Sequence, residues 1–262
     1  MPSYTLLDLL PLWGLFIVAL LFFLLSIEGG YRMGRRRRQQ SKEEKDAPVG
    51  GMVGATLGLF AFLLAFTFGF AATRFEARQQ LVLEEANAVR TAYLRAELLS
   101  EPDRKIILKL LREYVDVRLE IVRTGKLEQG IRRSEELHDL LWQQVAAIAP
   151  EKRDRIAFAP FIQSLTEVIN IHSKRALIAQ RGRIPGTIWA ALYVVGVLAL
   201  GVMGYYSGLT GTSRSLALLA VAIAFSAVLW LIANLDRPRE GSLKVSQQPM
   251  MDVQNMMIEQ KP

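Results

Sequence analysis

The 262-residue chain contains no cysteine, and its only histidines are His138 and His172. Without thiols there are no disulfides, no thiolate metal sites and no cysteine nucleophile. The same absence leaves the compartment of any water-exposed part undecided. No nucleophile–base arrangement and no glycine-rich phosphate loop is present, so an enzyme is not expected, and no cofactor is called for. His138 stands beside Glu135, Glu136 and Asp139. That grouping reads as a solvated helix face rather than a metal site. His172 lies among apolar residues and reads as a packing residue. Strand-like alternation is missing throughout, and so is any usable internal repeat.

What the sequence does have is long apolar runs, free of charge except for Asp8 near the start of the first. They are Leu6 to Ile27, Val49 to Thr73, Ile184 to Tyr206, and Ser215 to Leu235; the second contains no charge at all. About 20 apolar residues in a helix span the roughly 30 Å hydrocarbon core of a bilayer. Soluble core helices are instead amphipathic. No basic segment precedes the first run and no small-residue cleavage pattern comes after it, so it reads as a retained anchor and not as a signal peptide. The expected fold class is therefore an all-α membrane protein: four transmembrane helices, arranged as two hairpins that flank a helical soluble domain. The lipid bilayer is the first partner this implies. The net charge of +7 points to lipid headgroups rather than nucleic acid.

The organisation comes from the charges. Residues 1–73 form the first hairpin, with a basic loop over 32–48 that holds Arg35, Arg36, Arg37 and Arg38. Residues 74–183 form the soluble domain, 184–235 the second hairpin, and 236–262 a polar tail. Within the soluble domain one helix continues out of the second run to Leu99. Ser100 is the expected N-cap of the next, with Pro102 in its first turn and Asp103 at the capping-box position. Ile107, Leu110, Leu111, Tyr114, Val115 and Val122 fall on one stripe of that helix, and Gly125 ends it. Two more helices are expected over 133–148 and 161–180. Arg90 and Arg95 are expected to form surface pairs with Glu84, Glu85 or Glu97. In the tail, Met250, Met251, Met256 and Met257 fit either a short amphipathic helix or a frayed end.

The second run carries the most information. Gly50, Gly54 and Gly58 step by four, and Phe62, Phe66 and Phe70 continue the same step. Residues four apart share a helix face. Glycines at this spacing allow close helix packing, which is one reading of the face. The other puts the phenylalanines around a pore axis, where copies in a ring would form apolar collars that gate by dewetting. That reading requires an oligomer. Asn234, near the end of the fourth run, reads as an intramembrane hydrogen-bonding residue.

The stretch from Phe62 through Phe66, Phe70, Thr73 and Arg74 to Phe75 resembles the second transmembrane helix of bestrophin chloride channels. The segment Arg74 to Arg78, with Asn87 and Arg90 downstream, is similar to the segment that comes after this helix in bacterial bestrophins. More of the chain resembles a bacterial bestrophin-like group. The residues that carry this are Glu84–Ala88, Thr91–Arg95, Ile184–Gly186, Leu235–Pro238 and Val245–Pro249. The resemblance implies a homo-oligomer, pentameric in the channel family, that conducts anions. It places Phe62 and Phe66 at a narrow neck, with Phe70 added by spacing, and makes Thr73, Arg74, Asn87 and Arg90 the domain junction. The acidic calcium cluster of animal bestrophins is not matched, since only Asp236 and Glu240 stand near the corresponding point. The alternative function is a non-conducting membrane scaffold or sensor whose soluble helices bind a partner protein. The expected location is the bacterial cytoplasmic membrane. Counting basic residues from the first helix puts the arginine run inside and the soluble domain outside. The bestrophin resemblance implies the reverse.

Overall fold

A computed structural model describes residues 11–40, 46–148, 155–181, 183–212, 216–237, 241 and 243–259. Among the described residues eight helices occur in order: α1 (Leu12–Gln40), α2 (Asp46–Ala96), α3 (Asp103–Thr124), α4 (Leu127–Ile148), α5 (Arg155–Arg181), α6 (Gly186–Thr210), α7 (Leu216–Asp236) and α8 (Gln248–Glu259). No strand occurs among the described residues. α1, α2, α6 and α7 are long and apolar enough to cross a membrane. The chain forms two compact units. One takes residues 1–75 and 183–244, the other residues 76–182 and 245–262. Both units are therefore discontinuous in sequence, and the expected tail of 236–262 is divided between them: 236–244 belong to the first unit and 245–262 to the second.

In the membrane unit, α1 packs most extensively on α6 and also on α7. Glycine makes the α1–α6 contact possible. A Cβ on Gly30 would strike the backbone of Gly201, and one on Gly34 the backbone of Tyr205. On the facing helix, Gly204 and Gly208 lie equally close to the backbones of Ile27 and Tyr31. Backbones that approach this closely gain van der Waals contact that lipid cannot replace. Ser26 Oγ adds a hydrogen bond to the Val197 carbonyl at 2.5 Å. Deeper in the unit, Phe23 of α1 meets Phe60 of α2 edge-on at 5.8 Å, and Phe60 meets Phe225 of α7 at 4.8 Å. At one end the Asp236 carboxylate accepts the Ile184 amide at 2.9 Å, which ties the chain ahead of α6 to the end of α7.

The helical unit is built on amphipathic stripes. Val89 and Tyr93 of α2, Ile107 and Leu111 of α3, Leu137 and Leu141 of α4, and Phe161 and Leu165 of α5 are fully buried. α8 lays Met250, Val253 and Met257 against this core, so the tail takes the amphipathic-helix form. Gln254 anchors it to Asp116 of α3 at 2.6 Å. Gly125 ends α3 with φ +74°, and its amide bonds the Ile121 carbonyl at 2.9 Å.

Several expectations are corrected. The basic stretch after the first span is helical through Gln40, because arginine is a good helix former and the helix C-terminus favours cations. α2 begins at Asp46, ahead of Pro48, so helix takes up most of the expected loop. Ser100 is not the N-cap of α3. Pro102 holds that position without a side-chain cap, and the Ser100 backbone carbonyl accepts the Arg104 amide at 3.1 Å. α4 and α5 start earlier than expected, at Leu127 and Arg155, and α5 carries Pro160 within it. The first residues of the expected first span, Leu6 to Leu10, lie outside the described residues, as does Glu240.

Candidate functional site

α2 has two faces within the membrane unit. Phe60, Leu64, Thr67 and Ala71 are buried at spacings of four, three and four. Phe62 and Phe66 are 65% and 70% exposed, on the opposite side. Each step of four residues advances about 40° past a full turn. Phe70 has therefore rotated toward the flank of the helix and is 38% exposed. There the Arg74 guanidinium sits over its ring, 4.2 Å from the centroid. This is a cation–π contact. It sets Phe70 apart from the other two, because its ring face is already covered. Thr73 bonds back to the Gly69 carbonyl at 3.0 Å and is exposed.

Of the three glycines on the same helix, Gly50 lies 3.4 Å from the Tyr206 ring, measured from a Cβ built on it. Gly54 and Gly58 meet nothing within 4 Å in this chain. α2 is the least covered of the spans. Only 11% of its apolar window is buried, against 28–33% for the others. Its outer face is thus a long uncharged strip of glycine and phenylalanine left to lipid or to another copy. Asn87 and Arg90 stand exposed further along α2, in the helical unit. The Asn87 carbonyl accepts the Thr91 hydroxyl at 2.8 Å.

A second constellation, which sequence reasoning missed, lies inside the helical unit. Glu85 of α2 is fully buried, not a surface partner of Arg90 or Arg95. It receives Tyr114 and Arg118 from α3 and Arg175 from α5, with Arg118 Nε at 3.2 Å. His172 Nδ1 is 3.2 Å from the Tyr114 hydroxyl. Since the phenolic proton goes to the carboxylate, the imidazole donates from Nδ1. His138 of α4 closes the group, its ring 4.9 Å from Tyr114 and 4.8 Å from His172. It is buried rather than solvated, because it shares the inward stripe of Ser134, Leu137 and Leu141. Its acidic neighbours Glu135, Glu136 and Asp139 remain exposed. Arg95 instead donates to the Pro160 carbonyl at 2.7 Å, and Glu84 accepts from Gln80 at 3.3 Å.

Burial sets the electrostatics of this group. It lowers His138 to about 3, helped by His172 and Arg118, and lowers His172 to about 4, with Arg118 adding to the effect. It raises Tyr114 to about 12 and brings Arg175 down to about 10. Both imidazoles are therefore neutral at neutral pH. The group fastens α2, α3, α4 and α5 together. No set of His, Asp and Glu fit to hold a metal occurs among the described residues. The sequence signal that was available is the in-phase placement of Glu85, Tyr114, His138 and His172 on otherwise apolar stripes.

A family model described as Bestrophin-like domain matches residues 17–250. No curated protein matches the chain significantly. Among solved structures, the chain is similar to crystal structures of a bacterial Bestrophin homolog from Klebsiella pneumoniae. One, phased with zinc, is 15% identical with a TM-score of 0.65, covering 95% of this chain and 98% of that one. Two single-residue variants give 14% identity. Their TM-scores are 0.66 and 0.68, with 95% and 93% of this chain and 98% and 96% of theirs covered. At such identity the likeness is one of fold.

Proposed function

The chain belongs to the bestrophin-like domain family, and on that premise we propose that it is a pore-forming subunit of a homo-oligomeric, anion-permeable channel. The observation that carries this reading is the outer face of α2, where Phe62 and Phe66 stand exposed opposite the stripe that packs inside the chain. Copies arranged around an axis would bring these rings into stacked apolar collars. Such a constriction controls ions by dewetting, with no charged filter required. Gly54 and Gly58 leave the same face flat where a neighbouring helix would approach. Arg74, at the end of the uncharged stretch, supplies a fixed positive charge beside Phe70 that favours anions.

Purified protein in planar bilayers tests the proposal, with its mass in nanodiscs measured in parallel. An oligomer with anion-selective current is expected, pentameric as the family resemblance implies. Phe66→Ala should raise conductance severalfold by widening the collar. A silent monomer, or current that Phe66→Ala leaves unchanged, would sink it. The second reading, a scaffold whose helical unit binds a partner protein, draws on the exposed Leu98 and Trp142, 69% and 47% accessible. Recovery of one stoichiometric partner together with no conductance would favour it.

A further inference from the structure

We infer that the membrane unit holds a selective seat for an anionic phospholipid at the basic end of α1. One face of that helix changes character along its length at a spacing of three and four. Leu21, Leu24 and Leu25 come first, then Glu28, then Tyr31, Arg32 and Arg35. The leucines, with Leu218 and Leu219 of α7, line a cavity of about 380 Å³ that reaches Glu28 and Tyr31. The walls are aliphatic along the groove and polar at one end. Arg32 Nε bonds Glu28 at 2.7 Å and remains 69% exposed, so the guanidinium is held in place while its outer edge faces solvent. Arg35 is exposed one turn further on.

The sequence of chemistries along this face is that of a phospholipid: acyl chain, glycerol ester, phosphate. A groove between helices takes the chain. The Tyr31 hydroxyl at its end can donate to an ester carbonyl, while the Glu28 carboxylate, an acceptor only, serves to hold Arg32. Beyond them a guanidinium fork suits phosphate oxygens, which it binds in bidentate fashion. The sign of the headgroup comes from local charge. From Glu28 to Gln40 there are five arginines and one glutamate, a surplus that a zwitterionic headgroup would leave uncompensated and an anionic one offsets. The occupant is therefore an anionic phospholipid and not a zwitterionic one or a free anion. The seat does not depend on conduction.

Native mass spectrometry of the full chain tests this. The protein is taken from micelles containing dioleoyl phosphatidylglycerol or dioleoyl phosphatidylcholine. The phosphatidylglycerol adduct should survive about ten times better than the phosphatidylcholine adduct. Arg32→Ala combined with Arg35→Ala should remove that preference. Leu219→Trp, which fills the groove, should lower retention of both lipids severalfold. Leu25→Ala, at a site 69% exposed, keeps the fold and should weaken retention if the tryptophan variant does not fold. Millimolar inorganic phosphate should leave the adduct intact. Equal retention of the two lipids, indifference to both the arginine and the groove variants, or full displacement by phosphate would each overturn the inference.

Discussion

Lowering the pH from 7.5 to 5.0 should destabilise the helical unit through His138 and His172. The folded unit holds both imidazoles neutral, because protonation drops to about 3 and about 4 inside it. The unfolded chain takes up protons below the ordinary value of about 6.5. Unfolding therefore binds protons across this window. Stability is highest above about pH 6.5 and falls as the pH drops toward the folded values. At pH 5.0 each imidazole is about 1.5 pH units below its unfolded value, worth about 2 kcal/mol, so the pair costs about 4 kcal/mol. That is a large part of the ~5–15 kcal/mol that holds a typical domain together. Glu85 does not relieve the penalty, because Arg118 and Arg175 already surround it. The assay uses Trp142 of α4 as the sole tryptophan, with Trp13, Trp189 and Trp230 changed to phenylalanine. Urea unfolding is then monitored by fluorescence at both pH values. Replacing both histidines with phenylalanine should remove most of the pH dependence, and replacing one should remove about half. Equal stability at the two pH values, or a double variant that keeps the full slope, would refute the reasoning.

Packing sets the other expected outcomes. Gly30→Ala should destabilise the membrane unit by about 1–3 kcal/mol through overpacking against α6, whereas Gly58→Ala should leave the protomer's unfolding unchanged and alter only its oligomer mass; unfolding scans in nanodiscs and mass photometry read the two. Met257→Ala, fully inside the core, should cost the helical unit about 2–5 kcal/mol, measured by urea titration. A cysteine introduced at Gln129 should react with a membrane-impermeant maleimide on intact cells, as the first-helix charge count requires; reaction only after lysis would reverse the orientation.

The spans were legible because an uncharged run of more than 20 residues has few alternatives to a membrane helix. The helical core was legible from Ile107, Leu111 and Tyr114, whose spacing fixes one inward face. The close packing of α1 on α6 was harder to read, because Gly30, Gly34, Gly204 and Gly208 belong to segments far apart in sequence and neither set names its partner. The glycine step on α2 was more conspicuous, yet Gly54 and Gly58 meet no other part of this chain. The Glu85 group was hidden for a different reason. Glutamate, arginine and histidine on a helix usually mean a wet surface, and it is the pairing of Glu85 with Tyr114, Arg118 and Arg175 from α3 and α5 that offsets the cost of burying its charge.

The pairing of α1 with α6 also sets a timetable for synthesis. Gly30 and Gly34 must wait for Gly201, Gly204 and Gly208, some 170 residues later in the sequence. At about 5–20 residues per second, α1 spends roughly 10–30 s in the bilayer before its partner exists. The helical unit waits as well, since α8 is made after everything it covers. Both units are completed late, and in the same order in which their last helices leave the ribosome.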